Sequence, residues 1–301
     1  MFGNCKSGEI MNNWEISELP SAVLIGEFEN GSEEWHELRS QGVGGSQVGT
    51  CLGLNPWESA FSAWARAVGA FEAKESSLAM RLGNIFEPVI KQAWLSENPG
   101  WTIYETGTWQ SSKPGFEWCH ANPDGIMVDE NGELHILEVK MSRYPWDVVP
   151  AHYRAQVLWY MNILGIHKAK LVALFGGNDI QTFDIEWSEF EAETNVMLVK
   201  RWWDCVLEER QPEWDGSTST YEMVRYLHPD IDPDASVELG QLGVELSLAQ
   251  TEFDKADTFL RELKSRTLDA MGSAKTGTVD GLTVATRSAR GGGLPYLTIK
   301  K

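Results

Sequence analysis

The chain is poor in cysteine, with four in 301 residues and no two closer than 46 positions. The absence of any CxxC spacing argues against zinc ribbons and a disulfide framework, so Cys5, Cys51, Cys119 and Cys205 are expected to be reduced and mostly buried. No apolar run approaches the roughly 18 residues of a membrane span. The opening MFGNCKSGEIMNNWE has neither a basic nor an apolar leader region, and an intracellular location is expected. Repeats and low-complexity tracts are missing, which excludes solenoids and disordered tails. Basic residues are scarce: 25 Lys and Arg face 44 Asp and Glu, a net charge of -19. Taken whole, that balance repels nucleic acid and anionic membranes.

The acidity is uneven. Residues 1–34 carry -6, residues 35–177 carry -3, residues 178–232 carry -10 and residues 233–301 are neutral. The middle of the chain is therefore nearly balanced. An apolar share of 42% and a charged share of 23% are those of an ordinary globular protein.

Along the chain, residues 1–33 form a lead-in with one short strand near Ala22 to Ile25, closed by the Asn30-Gly31 turn signal. A helix is expected to begin at Trp35, a second to be capped by Ser46, and a third to run from Ser59 to Gly69. A longer helix spans Leu78 to Leu95, with Leu82, Ile85, Phe86, Val89, Ile90 and Ala93 as its apolar face and Pro88 within it. Strands are read at Trp101 to Trp109, Pro123 to Val128 and Glu133 to Met141, the last two forming a hairpin over Asn131-Gly132. A helix from Pro150 to Leu164, strands at Ala169 to Phe175 and Ile180 to Ile185, and a helix from Ser188 to Arg210 follow. This order predicts an α/β fold with a mixed sheet flanked by helices, in a domain of residues 34–227. After a linker near His228 to Pro233, residues 234–301 are expected to form an accessory segment. It comprises one or two helices over Leu239 to Met271 and a hairpin of Val279 to Thr286 with Pro295 to Ile299.

One constellation carries chemistry. Pro123-Asp124-Gly125 precedes Glu138-Val139-Lys140 on an apolar strand, where Glu138 and Lys140 share a face. A two-residue turn sets Asp124 opposite Val139. A three-residue loop, Glu130-Asn131-Gly132 with Gly132 left-handed, sets Asp124 directly opposite Glu138, and this loop is predicted. Paired carboxylates repel unless a cation lies between them, and hard oxygen ligands select Mg²⁺ or Mn²⁺. Lys140 beside such a cation can orient or deprotonate water and stabilise charge developing on a phosphoryl group.

These residues resemble the PD-(D/E)xK nuclease pattern, a restriction-endonuclease-like core. The surrounding series resembles its phage lambda exonuclease and YqaJ-like viral recombinase branch over roughly residues 34–177. The series comprises Trp35-His36-Glu37-Leu38-Arg39, Gly44-Gly45-Ser46, Leu52 to Trp57, Gly83 with Glu87-Pro88, Asn122 to Gly125, Glu138 to Lys140, and Tyr153 with Gln156. It departs from many members in having Asn122 where they carry Ser. The resemblance implies Asp124, Glu138 and the Val139 carbonyl as metal ligands, Glu87 completing the acidic cluster, Lys140 as catalytic lysine and Gln156 beside them. It further implies Arg39, Ser46 and Tyr153 as phosphate contacts at a DNA end, and Trp35 and Trp57 are candidates to stack on bases.

The activity so implied is Mg²⁺-dependent 5'-to-3' digestion of double-stranded DNA ends, leaving 3' tails for a RecT/Bet-like single-strand annealing protein. A homo-oligomeric ring in the phage or bacterial host cytoplasm goes with it. The alternatives are an endonuclease of the same superfamily and a non-enzymatic acidic DNA mimic, for which Lys140 two residues from Glu138 has no purpose. A RecB-like nuclease with an iron-sulfur cluster needs cysteines clustered near the C-terminus, and Cys205 stands alone.

Overall fold

The computed structural model describes residues 8–11, 18–28, 32–71 and 77–300; Cys5 and the Asn30-Gly31 turn lie outside them. In chain order the elements are β1 (Ile10–Met11), β2 (Glu18–Leu19), β3 (Ala22–Gly26), α1 (Glu33–Ser40), β4 (Val43–Gly44), α2 (Gly45–Cys51), α3 (Ala60–Ala67) and α4 (Leu78–Glu97). There follow β5 (Thr102–Tyr104), β6 (Thr108–Ser111), β7 (Cys119–Ala121), β8 (Gly125–Val128), β9 (Leu134–Ser142), α5 (Ala151–Leu164), β10 (Lys168–Phe175), β11 (Asp179–Glu186), α6 (Glu189–Leu207) and α7 (Thr218–Leu227). The last are α8 (Gln241–Met271), β12 (Thr276–Val279), β13 (Leu282–Ser288) and β14 (Tyr296–Ile299). The chain divides into two compact units, Met1–Pro229 and Asp230–Lys301.

In the first unit a six-stranded mixed sheet runs β1-β5-β8-β9-β10-β11, with β9 and β10 parallel and β8-β9 and β10-β11 antiparallel. A second sheet runs β2-β3-β6-β7-β4. The main sheet is buried on both faces. Leu137, Val139 and Val172 pack with Ile90, Trp94 and Leu95 of α4, while Ile136, Leu171 and Ala173 pack with α5. Helix α5 crosses from β9 to the parallel β10, the connection a parallel pair requires. It is buried nearly all round, from Ala155 to Leu164, and Gly165 ends it in the left-handed region (φ +69°). Here the α/β core with a mixed sheet between helices is realised.

The tryptophans mostly fill this core, and their N–H groups are satisfied, as buried indoles require. Trp159 donates to the His120 carbonyl at 3.0 Å, Trp202 to the Ala60 carbonyl at 2.8 Å and Trp94 to Thr182 Oγ1 at 2.8 Å. Cys51, Cys119 and Cys205 are free and buried. Among the described residues no helix is long and apolar enough to cross a membrane.

Several local expectations need correction. The stretch Trp101 to Trp109 is two strands in different sheets, because β5 pairs with β8 while β6 pairs with β3 and β7. Helix α4 buries Ile90, Lys91, Trp94 and Leu95; Ile85, Phe86 and Val89, assigned to its apolar face, are exposed. Ser46 does not cap α2. The cap is Gly44, whose N–H donates to Gln47 Oε1 at 3.1 Å, and Ser46 is an exposed first-turn residue. Ser59 does cap α3, accepting from Ser62 N at 3.0 Å. Helix α7 had no sequence assignment; Ser217 caps it and Thr220 and Met223 are buried.

The second unit holds the 31-residue α8 and a three-stranded antiparallel sheet, β12-β13-β14. The stretch Val279 to Thr286 is not one strand. Asp280 and Gly281 both adopt positive φ (+49° and +81°), the two-residue turn favoured in hairpins, and they separate β12 from β13.

Candidate active site

The β8-β9 hairpin pairs Gly125 with Leu137 and Val128 with Leu134, so the register continues to Asp124 opposite Glu138. Its loop has three residues: Gly132 N donates to the Asp129 carbonyl at 3.0 Å, and Gly132 has φ +81°. Beyond Gly125 the β8 ladder has ended, and the Asp124 carboxylate takes over, with Oδ2 accepting from Val139 N at 2.7 Å. Because the N–H and C=O of one strand residue point to the same edge, the Val139 carbonyl also faces Asp124.

Glu138 is 1% exposed. Its Oε1 accepts from Gln156 Nε2 at 2.7 Å and pairs with Lys140 Nζ, while Oε2 is buried with no hydrogen-bond partner among the described residues. Gln156 Nε2 also lies 3.0 Å from Tyr160 Oη, one turn further along α5. Lys140 Nζ sits 5.1 Å from the Tyr153 ring centroid, a cation-π contact. From the other face of the sheet, α4 delivers Glu87 and Lys91. Lys91 is 2% exposed and bonds Glu87 Oε1 at 2.7 Å and both Glu105 oxygens at 2.9 and 3.0 Å.

Electrostatics ties these groups into one cluster. Burial, then Glu138, pushes the Asp124 carboxyl up to about 7, with Lys140 and Lys91 opposing. Burial raises Glu138 against Lys140, and burial followed by Asp124 raises Glu87. Burial pulls the Lys140 ammonium down, but Glu138 and Asp124 outweigh it and hold it above the ordinary lysine value, so it is charged. Three electrostatically coupled carboxylates that resist ionisation, one of them carrying an orphaned buried oxygen, offer an all-oxygen donor set of the kind a hard divalent cation prefers. Asp124, Glu138, the Val139 carbonyl and Glu87 fit such an ion.

A second cluster has both the composition and the spacing of a metal site. Asp129, Glu133 and His135 have ligand atoms within 4.8 Å of one another at the hairpin tip. Asp129 Oδ1 accepts from Asn131 N and Glu133 N, and Glu133 pairs with Lys168, so these groups brace the loop itself.

The phosphate-contact candidates Arg39, Ser46 and Tyr153 lie on α1, α2 and α5. Helix α2 is held against α5 by two glycines one turn apart. A Cβ on Gly45 would lie 2.2 Å from the Tyr160 ring, and one on Gly49 would lie 2.7 Å from His152 Cβ. This close approach brings the start of α2 against Tyr160, with Ser46 exposed in its first turn. Arg39, in the last turn of α1, stacks its guanidinium 4.5 Å from the Trp35 ring centroid, and burial lowers its pKa. Tyr153 packs on Trp146 and His152 as well as under Lys140. Trp57 is 71% exposed and meets His152 edge-on at 5.4 Å. Asn122 Nδ2 donates to Thr108 Oγ1, which anchors the approach to Asp124.

Lys91, Glu105 and Gly49 were not singled out from the sequence, and Gly45 was named there only within the Gly44-Gly45-Ser46 series. Lys91 had a signal: a lysine next to Ile90 and one turn before Leu95 on a buried face needs a carboxylate, and Glu87 lies four residues back. Glu105 had none, since its pairing is made across the fold.

The YqaJ protein of Bacillus subtilis (strain 168) is 27% identical over 232 residues, 72% of this chain and 70% of that one. The crystal structure of LHK-Exo, an alkaline exonuclease from Laribacter hongkongensis, superposes with a TM-score of 0.48 at 18% identity, covering 60% of this chain and 94% of that one. Its complex with dAMP gives 0.49 at 18% identity, covering 65% and 97%. Residues 34–167, the stretch that carries Glu87, Asp124, Glu138, Lys140 and Gln156, match the family model of the YqaJ-like viral recombinase domain.

Proposed function

We propose that the first unit is a divalent-metal-dependent deoxyribonuclease that digests the 5'-ended strand of duplex DNA from an end. It leaves 3' tails for a single-strand annealing protein in phage-type recombination. The observation that carries this reading is the orphaned, buried Glu138 Oε2, on a carboxylate that pairs with Lys140 through Oε1 and is electrostatically coupled to Asp124 and Glu87. Mg²⁺, or Mn²⁺ in its place, would be held by Asp124, Glu138, the Val139 carbonyl and Glu87, and when bound supplies Lewis-acid polarisation of the scissile phosphate and a water of lowered pKa. Lys140, held charged, donates to a phosphate oxygen and offsets developing negative charge. Gln156 fixes the Glu138 rotamer. Arg39, Ser46 and Tyr153 are assigned to the phosphate at the DNA end, where a guanidinium fork and a hydroxyl match its oxygens.

The excess acid sits elsewhere. Asp179, Asp184 and Glu186 lie on β11, the sheet edge separated from β9 by β10, and Glu189, Glu193 and Glu208 line exposed positions along and after α6. The ring and the annealing partner belong to the same proposal. The decisive experiment incubates linear duplex DNA bearing 5'-phosphates with and without Mg²⁺, using the wild type and Lys140→Ala. Release of nucleotides only by the wild type, only with metal and only from free ends, supports the reading. Cleavage of closed circles identifies an endonuclease instead, and no cleavage by any form removes the enzyme.

A further inference from the structure

Helix α8 has 31 residues and buries none of them, and neither end has a side-chain cap. A helix of that length, about 46 Å, gains little from propensity alone and draws its stability from packing an apolar face. In its own unit the sheet supplies only one buried hydrophobic residue, Ala285. Val244, Leu248 and Phe259 are exposed off any single face, but a subset of the apolar residues of α8 forms a regular series. Leu246, Ala249, Phe253, Ala256, Leu260 and Leu263 follow one another at spacings of four and three, the heptad seam of a coiled coil, and all are exposed, Phe253 at 67%.

We infer that α8 pairs with the α8 of a second copy of this chain as an antiparallel coiled coil. The choice of occupant and direction comes from the seam's own sizes. Antiparallel pairing sets Phe253 against the partner's Ala256, Leu260 against the partner's Ala249 and Leu246 against the partner's Leu263, so every small residue faces a large one. Parallel pairing sets Phe253 on the partner's Phe253 and alanine on alanine, which alternates crowding with voids. Flanking charges agree. In the antiparallel register Glu245 meets the partner's Arg266 and Gln250 meets the partner's Asp257, whereas the parallel register brings Glu252 to the partner's Asp257. The pairing is independent of the chemistry proposed for the first unit, and its effect is to tether two such units.

The test uses the full chain with Cys5→Ser, the other three cysteines being buried. One preparation carries Leu246→Cys and a second, differently tagged, carries Leu263→Cys; each is oxidised alone and after mixing. A disulfide-linked species holding both tags, formed only in the mixture, is expected. Because the link reports on α8 alone, association through the nuclease units does not imitate it. Phe253→Asp should weaken the association by about 100-fold or more by sedimentation, since two buried phenylalanines are lost per pair. Circular dichroism shows that the variants are folded, and the position is exposed in the single chain. Cross-linking of Leu246→Cys with itself would overturn the direction. No cross-link in any preparation, with Phe253→Asp and wild type equal in mass, would overturn the pairing.

Discussion

The Lys91 ammonium lies 2.7 Å from Glu87 Oε1, one helical turn away in α4, and is itself almost wholly buried. It bridges Glu87 on one side and Glu105 on the other, so the carboxylate that α4 brings to the acidic cluster has a fixed position.

Replacing Lys91 by methionine keeps the packing volume but leaves two carboxylates facing each other. A loss of about 2 kcal/mol is expected, below the value for fully buried pairs because Glu87 and Glu105 remain partly exposed. Thermal unfolding measures it, and Lys91→Met/Glu87→Gln should recover part of the loss.

The raised carboxyls set a pH dependence. Asp124, pushed up to about 7 from an unfolded value near 3.9, keeps a proton in the folded chain that the unfolded chain has already lost. The metal-free protein therefore loses stability from this group as pH rises from about 4 to 7, and Glu138 and Glu87 act in the same direction. Added Mg²⁺ is expected to raise Tm more at pH 8 than at pH 5.5; an equal or reversed increment would remove the ion from this cluster.

Neutral isosteres separate stability from activity. Asp124→Asn in the metal-free protein removes like-charge repulsion and should raise Tm at pH 8, while DNA digestion falls by at least about 100-fold. Gln156→Leu, which frees Glu138 to rotate, should lower the rate by about 10 to 100-fold and leave Tm less affected.

Gly45 tests how α2 is placed. Gly45→Ala forces a Cβ into the Tyr160 ring and should both destabilise the fold and reduce activity, whereas Ser46→Ala, at an exposed position, should leave Tm unchanged. Gly132→Ala strains a left-handed loop residue with open space around it, and a cost of about 1 kcal/mol is expected.

What the sequence by itself determined is local. The three-residue loop follows from Asp124 and Glu138 needing the same face of one hairpin, a question of strand parity that no distant residue can alter. Ser59 capping α3 and the end of α5 at Leu164 are equally short-range. Tertiary structure decided the rest. Trp101 to Trp109 alternates like one strand, yet it turns at Gly107, whose Cα approaches the Gly26 carbonyl too closely for any side chain, and so feeds two sheets. The apolar pattern of α4 is continuous, but the main sheet covers only its second half, leaving Ile85 and Val89 exposed. Glu105 reaches Lys91, and Gly45 reaches Tyr160, only because sheets and helices stack from opposite sides. A period of 2 or 3.6 specifies which way a side chain points. Only the packing of elements specifies what it meets.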